Sequence, residues 1–293
     1  MARLLGLIGN RPDLCNRFAD YERSVLHCHF DGHFDGPRPG HFDGPESQWA
    51  WGVGFFQAGE VLLKRRPLDD RPELDIADMI DDVRSDILIT HVRRATVGAL
   101  RADNTHPFRY RQWMFADTGT VGDFGTVREQ LLETLPKFLR RSLRGETDSE
   151  LLFHLFLSFL HDAGKLDFPL ITPDDVFPAL KSSLALLDRI GRGVGLGPAE
   201  LNIMLATPDY LIAAHRGAPM AYRLLKGRED FEPLFAGDGP SKLRMPDLEP
   251  CRLAVVASDF QSGSTPEGWT ELPDGAMAAF RRTGEPTIVG VSP

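Results

Sequence analysis

The stretch from Thr90 to Phe124, THVRRATVGALRADNTHPFRYRQWMFADTGTVGDF, concentrates this chain's polar chemistry: a guanidinium at Arg93, hydroxyls at Thr96 and Thr118, an imidazole at His106 and a carboxylate at Asp117. Two apolar runs that read as buried strands bracket it, Ile87-Leu88-Ile89 and Trp113-Met114-Phe115-Ala116. Each run gives way to Gly, Thr, Asn, Asp and Arg, and strand ends that open into such loops are where a rigid scaffold presents binding groups. A site built there needs a second contributor. The N-terminal stretch Met1-Ala2-Arg3-Leu4-Leu5-Gly6 is the candidate.

A different chemistry is written between His29 and Gly44, where His-Phe-Asp-Gly occurs three times, interrupted by Pro37-Arg38-Pro39-Gly40. Histidine and aspartate together can ligate a divalent transition metal, which makes His29, His33 and His41, with His27 nearby, weak metal candidates. Spacing of four with glycine at each step fixes no ligand geometry, so a solvated loop insertion is the preferred reading and no cofactor is expected. Cys15, Cys28 and Cys251 form neither a CxxC pair nor an even disulfide set, and read as buried thiols of a reducing cytosol. Gly193 to Gly197, GVGLG, follows a helix instead of a strand and lacks the context of a phosphate loop.

The elements that must position these groups follow from periodicity. Arg3 to Gly9 reads as a buried strand, Pro12 to Ser24 as a short helix, and Trp51 to Arg65 as a hairpin turning at Gln57-Ala58-Gly59-Glu60. Apolar residues spaced by three and four predict helices over Asp75 to Val83, over Val127 to Leu143 with a kink at Pro136, and over Val176 to Ile190. Leu151 to Leu160 is apolar on nearly every side, which implies burial between layers. Thr147 with Glu150 three residues on is the capping-box pattern at its start. Strands follow at Asn202 to Ala206, Tyr210 to Ala214, Ala221 to Leu225 and Leu253 to Ser258, with a final hairpin from Trp269 to Phe280. Strands, then adjacent helices, then strands predict a layered α+β arrangement, not a parallel βαβ fold.

The chain of 293 residues, 42% hydrophobic, can bury a large core. No linker or repeat divides it, so one domain over 1–293 is expected, with 29–44 as a loop insertion. No apolar run approaches the roughly 20 residues that span a bilayer. The first residues lack the features of a secretory signal, and a cytoplasmic protein is expected. The net charge of −9 disfavours nucleic acid and anionic membranes as partners and favours small molecules or proteins.

The ordered motifs MxRLLGxIG, HVRRATVG, NTHPF, GTVGDF, TDSE opening a helix and LNIMLATPDYLIAAHRG resemble the class II glutamine amidotransferase family. The nearest branch is the small stand-alone γ-glutamyl amide hydrolases. The resemblance implies an N-terminal nucleophile hydrolase: a four-layer αββα sandwich of two antiparallel sheets, with Met1 removed and the next residue at the site. In the family that residue is a cysteine, whose thiolate attacks the amide. Here it is Ala2, so the nucleophile position is vacant. By motif match Arg93 grips a substrate α-carboxylate, Asp148 takes the α-ammonium, Thr96 and His106 line the pocket, and Gly119 offers its N–H to the oxyanion. Thr118 stands where the family has an asparagine oxyanion donor, a loss on the order of 10²–10³ in rate. Trp49-Ala50-Trp51-Gly52 replaces the family's Asp-Gly-Trp-Gly.

Three readings result. The first is a degenerate amidotransferase-like protein that retains a glutamine or γ-glutamyl pocket and acts as a binding or regulatory module, with a protein partner. The second is a working amide hydrolase whose cysteine was replaced at Ala2. The third, of low weight, is metal binding by the HFDG loop.

Overall fold

A computed structural model describes residues 3–21, 27–29, 49–69, 73–93, 98–235, 247–258, 260 and 265–290. Ala2, Thr96, His33 and His41 lie outside them, as does nearly all of the HFDG segment. His29 is described only as backbone, in the three-residue strand β2, His27–His29, which pairs with β5, Glu73–Asp75.

Two antiparallel sheets carry the fold. The first places β1 (Arg3–Gly9) at its centre, flanked by β6 (Ile87–Arg93) and β12 (Arg252–Ser258), with β3 (Trp49–Gln57) and β4 (Glu60–Asp69) beyond β6. Strands β11 (Met220–Lys226) and β13 (Thr270–Glu271) lie beyond β12. The second sheet runs in the order β15 (Thr287–Gly290), β14 (Ala276–Phe280), β10 (Leu211–Ala214), β9 (Leu201–Ala206), β8 (Trp113–Gly119), β7 (Phe108–Tyr110). Every described pairing is antiparallel.

Alternation along the strands produces three apolar layers, because successive side chains leave opposite faces of a sheet. Ile87 and Ile89 of β6 meet Met114 and Ala116 of β8 between the sheets. Leu88 and Val92 face outward onto helices α1 (Leu14–Tyr21), α2 (Ile76–Ile80) and α7 (Gly227–Phe235). Trp113 and Phe115 face outward onto α3 (Phe124–Thr134), α5 (Asp148–Asp162) and α6 (Pro173–Gly193). Helices, sheet, sheet, helices is the expected αββα sandwich. Helix α5 is buried on nearly all sides, as its composition predicts, and Phe153 stacks on Phe115 at 5.1 Å between ring centroids.

Several expectations change. The helix predicted over Val127 to Leu143 is two helices, α3 and α4 (Lys137–Arg140), because Pro136 takes an extended conformation and cannot continue the backbone ladder. The helix predicted from Asp75 to Val83 is a short α2, with the Asp75 carboxylate accepting from Ala77 N–H at 2.9 Å. Trp269 to Phe280 is not a hairpin: β13 pairs with β11 in the first sheet and β14 with β10 and β15 in the second. Strands β7 and β15 and helix α7 were not expected. At α5 only half of the capping box forms: Thr147 Oγ1 accepts from Glu150 N–H at 3.2 Å, while the Glu150 carboxylate turns back to the N–H groups of Arg144 and Gly145.

Candidate functional site

The polar groups of the Thr90–Phe124 stretch converge where β6, β8 and the start of α5 end together. Arg93 is the last residue of β6 and is 7% exposed. By alternation it shares its face with Ile89 and His91, on the side of the gap between the sheets. Arg3, the first described residue, pairs with Val92 in the adjacent strand, so β1 begins beside the end of β6.

Strand β8 ends in Ala116-Asp117-Thr118-Gly119, and its last residues divide between its two faces. Thr118 shares the inter-sheet face with Met114 and Ala116 and is buried. Asp117 is on the face of Trp113 and Phe115, toward α5, where the Ser149 side chain bonds to it. Gly119 has φ +122, and a Cβ there would collide with the Glu200 carbonyl, so glycine is required at this turn. Asn202 lies directly opposite Thr118 in β9, but its amide donates to the Ala218 carbonyl at 2.6 Å and accepts from Arg216 N–H. Both ends of that amide are thus committed to the Arg216–Ala218 segment.

His106 enters from the loop before β7, with a cis peptide to Pro107. Its backbone rests on Gly52 of β3, where a Cβ would collide with the His106 carbonyl. Its Nε2 is 3.1 Å from Asp117 Oδ1, and both side chains are 2% exposed. Its ring is 4.2 Å from that of His91, and its Nδ1 is buried with no hydrogen-bond partner among the described residues. An imidazolium would bury an unsatisfied N–H at Nδ1, so the neutral tautomer with the proton on Nε2, donating to Asp117, fits the surroundings. Burial, with the charges of Arg93 and Arg65, holds His106 well below the ordinary histidine range. Burial does the same for His91, aided by His106 and Arg93.

Asp148 opens α5. Thr147 caps that helix, and the loop leading into it is latched by Asn104, whose amide oxygen accepts from Glu146 N–H at 3.0 Å. Asp148 Oδ2 accepts from Val121 N–H at 2.8 Å, tying the turn after Gly119 to the helix start. Burial pushes the Asp148 carboxyl up to about 6, and the neighbouring charge of Asp117 adds to it, against the Val121 and Ser149 N–H groups and Arg93. Asp117 is pushed by burial to about 7, with the Ser149 hydroxyl and Arg93 acting in the other direction. Arg93 itself is lowered by burial and held up by Asp148 and Asp117. One guanidinium thus serves two buried carboxylates.

Of the residues singled out in the sequence, Arg93, His106, Thr118, Gly119 and Asp148 are brought to one end of the sandwich. Ala2 and Thr96 fall outside the described residues. Among the described residues no group of three histidine, cysteine or acidic side chains is placed to hold a metal ion. Asp117 was named among the polar groups of the stretch but given no role, and Ser149 and His91 were not singled out. Asp117 had one signal, its place beside Thr118-Gly119; Ser149 had only its place in TDSE. A cleft of about 290 Å3 lies beyond Gly119, lined by Thr120, Gly122, Leu187, Leu196 and Glu200, and includes none of Arg93, His106 or Asp148.

Comparison with known proteins gives the family. Relatives carrying glutamine amidotransferase names include DUG3 of Saccharomyces cerevisiae, 32% identical over 90 residues, 31% of this chain and 25% of that protein's length. Another is YafJ of Escherichia coli, 27% identical over 222 residues, 73% of this chain and 72% of that protein. This chain therefore spans only a quarter of DUG3, and 48% of a Haemophilus influenzae relative. Among solved structures, a glutamine aminotransferase class-II domain protein from Silicibacter pomeroyi shares the fold at a TM-score of 0.57 and 21% identity, over 99% of this chain and 100% of that one. The glutamine phosphoribosylpyrophosphate amidotransferase of B. subtilis does so at 0.53 and 16%, over 99% of this chain and 49% of that one. The family model for class-II glutamine amidotransferases matches residues 33–293, and the chain belongs to that family.

Proposed function

We propose that this protein binds glutamine or a γ-glutamyl amide through its α-amino and α-carboxylate groups and hydrolyses the amide weakly or not at all. The observation that carries the reading is the placement of Arg93 and Asp148, two buried opposite charges from different elements, at the ends of β6 and α5 beside the Gly119 turn. A planar guanidinium offers a carboxylate two parallel N–H groups, and Asp148, with one oxygen on Val121 N–H, keeps acceptor capacity for an ammonium. His106 and Thr118 would contribute from the pocket walls. Ala2 supplies a methyl group where a thiolate would attack, and Thr118 a short hydroxyl where an amide N–H would meet the oxyanion. Binding without turnover suits a sensing or partner-regulating role.

The test is direct. Millimolar glutamine should raise the melting temperature by mass action on the folded state, while ammonia release stays at the buffer rate. Release well above that rate, insensitive to chelators, refutes the inactive reading.

A second reading, a working hydrolase whose cysteine at position 2 was replaced, is favoured by the preserved Gly119 turn. Turnover restored by Ala2→Cys alone would support it. Our reading expects that Thr118→Asn is needed as well.

A further inference from the structure

Asp117 is a buried carboxylate of the site to which the ligand grip gives no role. Among the described residues, charged and polar groups reach it from several elements. From the loop before β7, His106 Nε2 lies at 3.1 Å. From α5 come the Ser149 side chain and the charge of Asp148, and from β6 comes Arg93. His91, on β6 and against the His106 ring, is neutral, and Arg65 of β4 acts on His106. Glu150 is turned to the Arg144 and Gly145 N–H groups. Among the described residues, Arg93 is the cation that acts on both carboxylates, Asp117 and Asp148.

Resting on the glutamine reading above, we propose that Asp117 is a positioning residue that takes up one proton when a zwitterionic α-amino acid seats on Arg93 and Asp148. A ligand carboxylate on Arg93 occupies the guanidinium that otherwise steadies the Asp117 charge. The ligand ammonium goes to Asp148. Left ionised, Asp117 would then be an uncompensated buried charge, which is expensive. A proton from solvent removes it. The hydrogen bonds survive this step: His106 Nε2–H continues to donate to Asp117 Oδ1, and the new carboxylic O–H is accepted by Ser149 Oγ after that hydroxyl rotates. His106 stays neutral throughout, since a proton at Nδ1 would find no acceptor among the described residues. The neutral burial of Asp117, which ionises at about 7 in the free chain, keeps the proton exchange within the neutral range.

Calorimetric titration with L-glutamine in two buffers of different protonation enthalpy, near neutral to mildly alkaline pH, measures the proton count. Uptake of a substantial fraction of a proton per glutamine is expected, with affinity falling as pH rises above about 7, by at most roughly tenfold per pH unit. In Asp117→Asn, which keeps an acceptor for His106, uptake should vanish and the affinity should be flat over the same range. If that variant does not fold, Ser149→Ala serves: it removes a donor that favours the ionised form, so the fall in affinity starts at higher pH. Glutamine binding with no proton uptake, or with uptake unchanged in Asp117→Asn, overturns this inference alone. Absence of glutamine binding at any pH overturns the ligand reading and this inference with it. Carboxyl-carbon and imidazole-nitrogen NMR of the free protein gives a ligand-independent check. Asp117 should titrate near neutrality while His106 stays uncharged, and an Asp117 ionised down to mildly acidic pH, or a His106 imidazolium, overturns the inference.

Discussion

Helices α5 and α6 begin with nearly the same local signal and end in different chemistry. Thr147-Asp148-Ser149-Glu150 and Thr172-Pro173-Asp174-Asp175 each place a threonine before acidic residues in a first turn, where the helix dipole favours negative charge. At α6 the start faces solvent. The Asp175 carboxylate accepts from Thr172 N–H at 3.1 Å and Oγ1 at 2.9 Å, and pairs with Lys165 at 3.0 Å. At α5 the same turn is buried under the Gly119 loop, its acids face Val121, Arg93 and Asp117, and its glutamate is diverted to Arg144 and Gly145. A cap motif specifies where a helix starts. The neighbours packed over that start decide whether its carboxylate is a cap or a charged group held for a ligand.

The sharpest way to break this contrast is to remove each acid. Asp148→Ala, like Arg93→Ala, should abolish the glutamine-dependent rise in melting temperature, whereas Asp175→Ala should leave it intact; a rise that persists in both site variants refutes the pocket assignment. Next in size is the pH dependence of stability, which should have opposite sign at the two ends. Asp117 and Asp148 keep protons in the folded chain that the unfolded chain has released. Their contributions are therefore present below the unfolded value of about 3.9 and are lost as pH rises through about 7 and 6. Asp117→Asn should thus gain in melting temperature relative to the parent as pH is raised from about 5 to about 8.

At Asp175 slight burial acts upward, but the Lys165 and Thr172 bonds outweigh it and lower the carboxyl. Its contribution is present above the unfolded value and lost as pH falls through the folded one. At the protein surface and only partly buried, Asp175→Asn should cost no more than about 1 kcal/mol in denaturant unfolding, less in high salt. The cap itself discriminates least: Thr147→Ala should cost about 1–2 kcal/mol, and it should weaken glutamine binding through Asp148. Thr172→Ala should lose up to about 1 kcal/mol in the same unfolding experiment and leave binding unchanged.

The sequence alone determined the elements whose burial is uniform along their length. Strands β1, β6 and β8 and helix α5 are apolar runs that cannot be satisfied in water, so their positions follow from composition. The ordered motifs, through the family they resemble, carried the αββα sandwich and pointed to Arg93, His106, Thr118, Gly119 and Asp148. Pairing over long separations was not legible. Nothing local says that Trp269 to Phe280 divides between two sheets, since a strand's partner is chosen by the exposed edge it meets. Nor does any spacing place Asp117 against His106 and Ser149. Asp117 lies on the α5 face of β8 and Thr118 on the other, and only packing three elements over that strand end turns an acid between Ala116 and Thr118 into a buried carboxylate. Periodicity records which side chains must leave water; the charge state of one that leaves depends on what encloses it, and that is decided in three dimensions.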